Sequence, residues 1–237
     1  MTTVLIHLLA AYVILLAPWW GRILYEKTQK RMQAGDALAK IRMYRFIVIE
    51  QAVSTLLVLC LWRFGGISAA SLGLAAPRSW WLSAGLAIAV GGLFLWSGIR
   101  LRPKAQRMRE KLKGRAEAIL PTTFDEQRWF AAISVGAGIS EELIFRGFLF
   151  YYFTLWFPHI NHIENALLTS LIFGMGHLYQ GWKGVVSTGI VGLMMAGLYV
   201  LTGNLLVPVV AHATADLRVL LIFWTGPERQ ETAAQAA

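Results

Sequence analysis

The chain has 237 residues, of which 57% are hydrophobic and 15% are charged. A soluble globular domain averages about 45–50% apolar and about 25% charged residues, so this composition excludes an ordinary soluble domain and favours a protein that crosses a membrane several times. The single cysteine excludes an intrachain disulfide, and the net charge of the chain is +9.

Seven apolar stretches approach the roughly 20 residues that a helix needs to cross a hydrocarbon core of about 30 Å. In chain order they cover residues 4–20, 46–62, 80–100, 129–153, 164–180, 184–202 and 204–224. They predict an all-α, polytopic transmembrane helical bundle of about seven to eight helices. Because the long 129–153 stretch contains Gly136 and Gly138, we expect that helix to be broken or strongly tilted.

Two polar connections carry most of the cations. Residues 21–45 contain seven Lys and Arg residues and residues 100–128 contain nine, whereas residues 64–79 contain only Arg78. Cytoplasmic loops of membrane proteins are enriched in Lys and Arg. The pattern therefore predicts cytoplasmic basic loops, an outer N-terminus and, after seven crossings, a cytoplasmic C-terminus. Anionic lipid accounts for the same charges, so we do not expect a nucleic-acid partner.

The polar residues divide the chain into four parts. Residues 1–100 predict scaffold helices, in which Glu50 is expected to reach the head groups, and residues 101–128 predict a basic cytoplasmic linker. Residues 129–224 form the expected functional core, followed by a cytoplasmic tail at 225–237. Within the linker, apolar residues at helical spacing predict an amphipathic helix that lies on the membrane or forms an ordinary solvated connection: Leu101, Ala105, Met108, Leu112, Ala116 and Ile119. Thr123 and Glu126 then predict a capping box.

Adjacent acids stand inside the 129–153 stretch. Glu141 and Glu142 are followed by Arg146, four residues after Glu142 and therefore on its face of a helix. An ionisable group inside a membrane costs about 2.5–3.5 kcal/mol on insertion scales and usually marks a functional site. A buried Glu142–Arg146 pair could simply fix helix register. Glu141 then lacks a partner, which favours a general base that acts on water.

Two histidines follow in later apolar segments. Gly174 and Gly176 come just before His177 in the sequence. Because they have no side chain, a backbone, a water or a substrate could approach His177 closely. His212 and Asp216 share a helix face, so we expect the Asp216 carboxylate to hold one imidazole nitrogen and to aim the other outward. That arrangement suits a metal ligand, a proton shuttle or an oxyanion donor. We expect all these groups to meet at a polar, water-containing intramembrane cavity.

The order of these motifs resembles the CPBP family, the CAAX-protease and bacteriocin-processing group of intramembrane endopeptidases that is also called Abi. The resemblance covers about residues 129–220 and rests on seven positions: Glu141, Glu142, Arg146, Phe173, His177, His212 and Asp216. It implies a helical intramembrane bundle that hydrolyses peptide bonds, with residues 129–224 as its catalytic core. The last motif ends in Asp where other members can carry Asn. No His-Glu-x-x-His, Gly-x-Ser-x-Gly or Gly-x-Gly-Asp motif occurs, which disfavours other intramembrane protease classes.

The resemblance also implies roles for the residues. Glu141 with His177 would activate water, while His212 with Asp216 would stabilise the oxyanion, and Glu142 with Arg146 would orient the site. Members of the family are often classed as metalloproteases, and Glu141, His177 and His212 could hold Zn²⁺ with an open position. The same groups could act without metal, which is the interpretation that we favour.

Two other functions remain open from the residues alone, a non-catalytic membrane immunity or scaffold protein and a proton-coupled transporter. The expected partners are a peptide or protein substrate, which could be prenylated or membrane-anchored, and membrane lipid. A multi-pass protein of a bacterial inner (plasma) membrane is the expected location.

Overall fold

The computed structural model describes residues 2–112 and 117–224, which form helices and no strand. Ala116 of the predicted amphipathic helix and the tail 225–237 lie outside those residues. The all-α prediction is confirmed, and seven helical rods correspond to the seven apolar stretches. Their elements are α1 (Thr2–Ala11), α2 (Ala17–Gln33), α3 (Ala39–Phe64), α4 (Trp80–Leu101), α5 (Ala105–Leu112), α6 (Phe124–Glu142), α7 (Phe150–Trp156), α8 (His162–Met175), α9 (Gly181–Thr202) and α10 (Leu206–Phe223).

Short irregular turns join some of these elements into longer rods. A π-helical segment, Tyr12–Leu16, connects α1 to α2, and another, Leu143–Leu149, connects α6 to α7. A 3₁₀ turn at Arg102–Lys104 carries α4 into α5. Single-turn π-helical irregularities are frequent at functional sites, and the second one begins directly after Glu142.

Five of the described helices are long and apolar enough to cross a membrane: Thr2–Gln33, Ala39–Phe64, Trp80–Leu112, Leu178–Thr202 and Leu206–Phe223. The chain is therefore an integral membrane protein. The predicted 164–180 span is shorter than expected, because α8 ends at Met175 and its 14 residues are about 21 Å long. The number of crossings, and with it the side of each terminus, stays a prediction.

Helix packing places α10 at the centre of the functional half. It packs against α4 and α6, while α6 also packs against α3, and α8 packs against α9. The fourth span is not broken at Gly136 or Gly138, since α6 runs through both, and its strong tilt stays a prediction. Gly138 instead lets α6 approach α10, because a Cβ there would lie 2.9 Å from the backbone nitrogen of Ala213 and from the Val209 carbonyl oxygen.

The linker contains the predicted helix, but that helix packs against the protein and not against lipid or solvent alone. In α5, Ala105, Met108 and Leu112 pack against a cluster that includes Phe223 at the end of α10. The apolar face of α5 therefore contacts the protein itself. The capping box is confirmed: the Thr123 side chain accepts from the backbone N–H of Glu126, and the Glu126 carboxylate accepts from the N–H of Thr123.

Candidate functional site

Glu142 and Arg146 form a fully buried ion pair at the junction of α6 with the π-helical segment. The Nη1 atom of Arg146 donates to Oε1 of Glu142 at 3.0 Å, and both side chains have no exposed surface. The Nη2 atom donates to the Gly192 carbonyl oxygen on α9 at 2.7 Å, and the guanidinium lies 4.8 Å from the centre of the Phe173 ring. The predicted pairing is confirmed, and it ties α6 to α8 and α9.

His212 on α10 is held by Glu142 and not by Asp216. Its Nδ1 atom lies 2.6 Å from Oε1 of Glu142. Because that oxygen also accepts from Arg146, it is the carboxylate acceptor of both hydrogen bonds, and Nδ1 is the donor. The expectation that Asp216 fixes the imidazole is wrong: its Oδ2 atom lies 3.9 Å from Nε2, beyond hydrogen-bond distance.

Glu141 faces the other nitrogen of the same imidazole. Its Oε2 atom lies 3.8 Å from Nε2 of His212 and has no hydrogen-bond partner among the described residues. The side chain keeps 28% of its surface exposed, whereas that of Glu142 has none. Two neighbouring acids therefore have different environments, one buried in a structural network and one open to a cavity, as separate roles require.

His177 lies in the turn that follows α8, and the structure fixes its tautomer. Its Nδ1 atom is 2.9 Å from the carbonyl oxygen of Phe173. A carbonyl oxygen only accepts, so Nδ1 carries the proton and Nε2 is free to accept one. The Phe173 ring contacts both imidazoles, tilted against His177 at 4.9 Å between centroids and edge-to-face with His212 at 5.8 Å. Close approach beside His177 is confirmed, because a Cβ on Gly174 would lie 2.6 Å from the Val185 carbonyl oxygen.

A single cavity of about 470 Å³ collects the predicted polar groups. Glu141, His177, His212 and Asp216 all line it, although they come from α6, the turn after α8, and α10. Glu142 and Arg146 do not line it and lie behind the wall. Apolar side chains make up most of the remaining wall, among them Trp20, Leu24, Met43, Phe46 and Ile47. The arrangement offers a proton acceptor, imidazole groups and apolar surface within one space.

Sequence reasoning missed the part of this wall that comes from the first hundred residues. Glu50 lines the cavity and accepts from the hydroxyl groups of Tyr12 at 3.2 Å and Ser54 at 3.3 Å. It lies within α3, and its reach to the head groups stays a prediction. Gln51 is buried, lines the same cavity, and has an Oε1 atom without a partner. The signal was available: Glu50, Gln51 and Ser54 are polar residues inside one apolar span.

The three residues named as zinc ligands do not form a ligand set. Among residues 2–112 and 117–224, no group of three His, Cys, Asp or Glu side chains is placed to hold a metal ion. His212 also commits Nδ1 to Glu142, which leaves only Nε2, at 3.8 Å from Glu141. Ligand atoms on one tetrahedral Zn²⁺ lie about 3.4 Å apart, given bonds of about 2.0–2.1 Å. As placed, these side chains therefore do not form a ready Zn²⁺ ligand set, and metal dependence stays a prediction.

Comparison with known proteins gives one match. Residues 126–218 match the family described as type II CAAX prenyl endopeptidase Rce1-like. The matched segment begins two residues after the start of α6 and contains all six predicted site residues. No curated protein and no solved structure matches the chain significantly.

Proposed function

We propose, from the match of residues 126–218 to the Rce1-like CAAX endopeptidase family, that the chain is an intramembrane endopeptidase that hydrolyses a peptide bond with a glutamate-activated water. The observation that carries the proposal is the meeting of Glu141, His177 and His212 on one cavity. Peptide hydrolysis needs a base for water and a donor for the oxyanion, and these groups supply both.

Glu141 is the proposed base. Its partly exposed side chain lines the cavity, and its Oε2 atom has no protein donor among the described residues, so the carboxylate can accept a proton from water. His177 assists, because Nδ1 is occupied by the Phe173 carbonyl and Nε2 is left as a second acceptor for that water. The water oxygen attacks the carbonyl carbon, and the abstracted proton is later passed to the leaving amine as the C–N bond breaks.

His212 is the proposed oxyanion donor. Nδ1 donates to Glu142, so donation from Nε2 to the substrate requires the imidazolium form. Carboxylates lie on both sides of this ring, with Glu141 and Asp216 within 4 Å of Nε2, and they balance that charge. Arg146 in turn balances Glu142. Glu142 and Arg146 thus position His212 without touching the substrate, and no step needs a metal.

The substrate is proposed to be a peptide or protein that enters from the membrane. Apolar cavity walls, including Trp20, Phe46 and Ile47, suit a membrane-anchored or prenylated chain. We also propose the bacterial inner membrane, with the basic loops on the cytoplasmic side, from the distribution of Lys and Arg.

Purified protein in proteoliposomes, incubated with a library of prenylated and unprenylated peptides, tests the proposal. Wild type should cleave a subset, and His177→Ala should lower kcat/KM about 100-fold, as expected for loss of a proton-transfer group. His162→Ala is the matched control, since His162 is exposed at the start of α8, the helix that precedes His177, and does not line the cavity.

Absence of cleavage by wild type across the library, or equal loss in both histidine variants, contradicts the proposal. Activity should persist after exhaustive chelation, verified by elemental analysis of the protein. Loss on chelation with recovery on adding Zn²⁺ would show that the metal-free chemistry is wrong while leaving the endopeptidase activity in place.

A further inference from the structure

Tyr179 presents a phenol to the cavity, and the hydrolysis proposed above does not use it. The residue follows His177 by two positions, in the 3₁₀ turn Leu178–Gln180 between α8 and α9, and it lines the same cavity. Its ring centroid lies 5.7 Å from that of His177 and 5.5 Å from that of Tyr25 on α2. The phenol is therefore packed beside the imidazole that is proposed to assist the water.

The hydroxyl group of Tyr179 has a proton that no protein group accepts. Its oxygen atom accepts a hydrogen bond from Nε2 of Gln180 at 3.0 Å, and no described residue accepts from its O–H group. A phenol is both an acceptor and a donor, so half of its hydrogen-bonding capacity is left over. The bond from Gln180 also polarises the O–H group, which makes it a stronger donor. Tyr179 therefore offers a hydrogen-bond donor to a group inside the cavity.

Four other hydroxyl groups on the cavity wall donate to protein acceptors. Their hydrogen bonds run from Tyr12 and Ser54 to Glu50, from Tyr44 to the Ile119 carbonyl oxygen, and from Thr188 to the Gly184 carbonyl oxygen. The hydroxyl of Tyr25 has partners outside the cavity, Gln29 among them. Tyr179 differs from the first four because its partner among the described residues is a donor.

The proposed oxyanion site leaves a place for a second donor. His212 offers Nε2, but Asp216 one turn later adds no donor, because an ionised carboxylate only accepts. Glu141 and Asp216 both lie within 4 Å of that nitrogen atom. The Tyr179 phenol is close enough to interact electrostatically with the same two carboxylates, so it lies at this end of the cavity. A neutral donor here can bind an oxyanion in addition to the imidazolium.

We propose that the Tyr179 hydroxyl donates a second hydrogen bond to the oxyanion, an inference that rests on the proposed endopeptidase function. As the water oxygen bonds to the carbonyl carbon, the π electrons move to the carbonyl oxygen, which accepts from His212 and from the phenol. The phenol keeps its proton throughout. When the C–N bond breaks, the amine takes the proton that Glu141 removed from water. Tyr179 is thus a catalytic residue that acts by hydrogen bonding alone.

The test is Tyr179→Phe in proteoliposomes, on a peptide that wild type cleaves. Loss of an oxyanion donor should lower kcat about 100-fold and leave KM nearly unchanged, because the donor acts on a charge that develops only in the transition state. Tyr151→Phe is the matched control. Tyr151 is half-buried on α7, like Tyr179 belongs to the half of the chain that carries the motifs, and does not line the cavity. It should keep the wild-type kcat.

A second measurement separates oxyanion binding from a change in the fold. Two uncleavable analogues of the same peptide are compared, a phosphinate, which carries negative charge at the position of the oxyanion, and a neutral hydroxyethylene analogue. Tyr179→Phe should weaken inhibition by the phosphinate about 100-fold, in parallel with the fall in kcat, because both depend on the same hydrogen bond. Inhibition by the hydroxyethylene analogue should change little, since a distorted cavity would weaken both analogues alike.

The outcomes separate this inference from the proposed function. An unchanged kcat in Tyr179→Phe, or equal weakening of the two analogues, overturns the oxyanion role while the endopeptidase stands. A higher KM at an unchanged kcat would assign the phenol to substrate binding and would overturn the inference as well. Failure of the proposed function shows instead as no cleavage of any peptide by wild type.

Discussion

At the scale of single residues, the two adjacent acids show how a difference in burial gives two glutamates different roles. Glu142 is fully buried and accepts from Arg146 and from His212, whereas Glu141 lines the cavity and has an oxygen atom without a partner among the described residues. The spacing of Glu142 and Arg146 on a helix was enough to predict their pair. The partner of His212 could not be predicted in this way, because Glu142 is 70 residues distant in sequence and reaches it only through helix packing.

Replacing Arg146 should lower the unfolding free energy of the protein more than replacing a solvent-exposed cation. Arg146→Met leaves Glu142 buried without its cation and the Gly192 carbonyl without its donor, and breaking a buried pair costs about 3–5 kcal/mol. Unfolding free energy measured in detergent or bicelles should show this loss. Arg22→Met, which breaks an exposed pair with Glu26, should cost less than about 1 kcal/mol. Similar losses in both variants would contradict the structural role.

At the scale of elements, the site depends on how closely α6 approaches α10. The lengths of the apolar stretches predicted most of the helices, since five of the described helices are long and apolar enough to cross a membrane. The sequence alone could not predict that Gly138 allows α6 to contact α10, because a glycine does not indicate which neighbouring helix will pack against it. The early end of α8 is the other departure, since the chain turns at Gly176 and places His177 outside the helix.

Gly138→Val should therefore impair catalysis by displacing α10. Its side chain would collide with the backbone of Ala213 and Val209, next to His212, and the helices must separate. We expect at least a 10-fold loss of kcat/KM and a lower unfolding temperature. Gly197→Ala on α9 is the control, because nothing lies within 4 Å of a Cβ there and it should change neither quantity. Full activity in Gly138→Val would show that this contact does not set the site.

At the scale of the whole molecule, segments that are far apart in the sequence line one cavity. The family match spans residues 126–218, yet Tyr12, Glu50 and Gln51 line the same space as Glu141. The motifs could be predicted from sequence because they combine rare polar residues with fixed spacing. In α3 the polar residues Glu50, Gln51 and Ser54 signal a polar site within an apolar span, but their sequence does not indicate which distant helices that site faces. Part of the first hundred residues therefore lines the same cavity as the candidate site residues.

The central claim is that Glu141, alone among the acids of the cavity, activates the water that cleaves the peptide. The decisive measurement is kcat of Glu141→Gln in proteoliposomes on a substrate that wild type cleaves, together with its unfolding temperature. We predict a loss of about 100- to 10,000-fold with an unchanged unfolding temperature, while Glu110→Gln, an exposed acid on α5, retains wild-type kcat. A correctly folded Glu141→Gln protein that cleaves at the wild-type rate would contradict the claim.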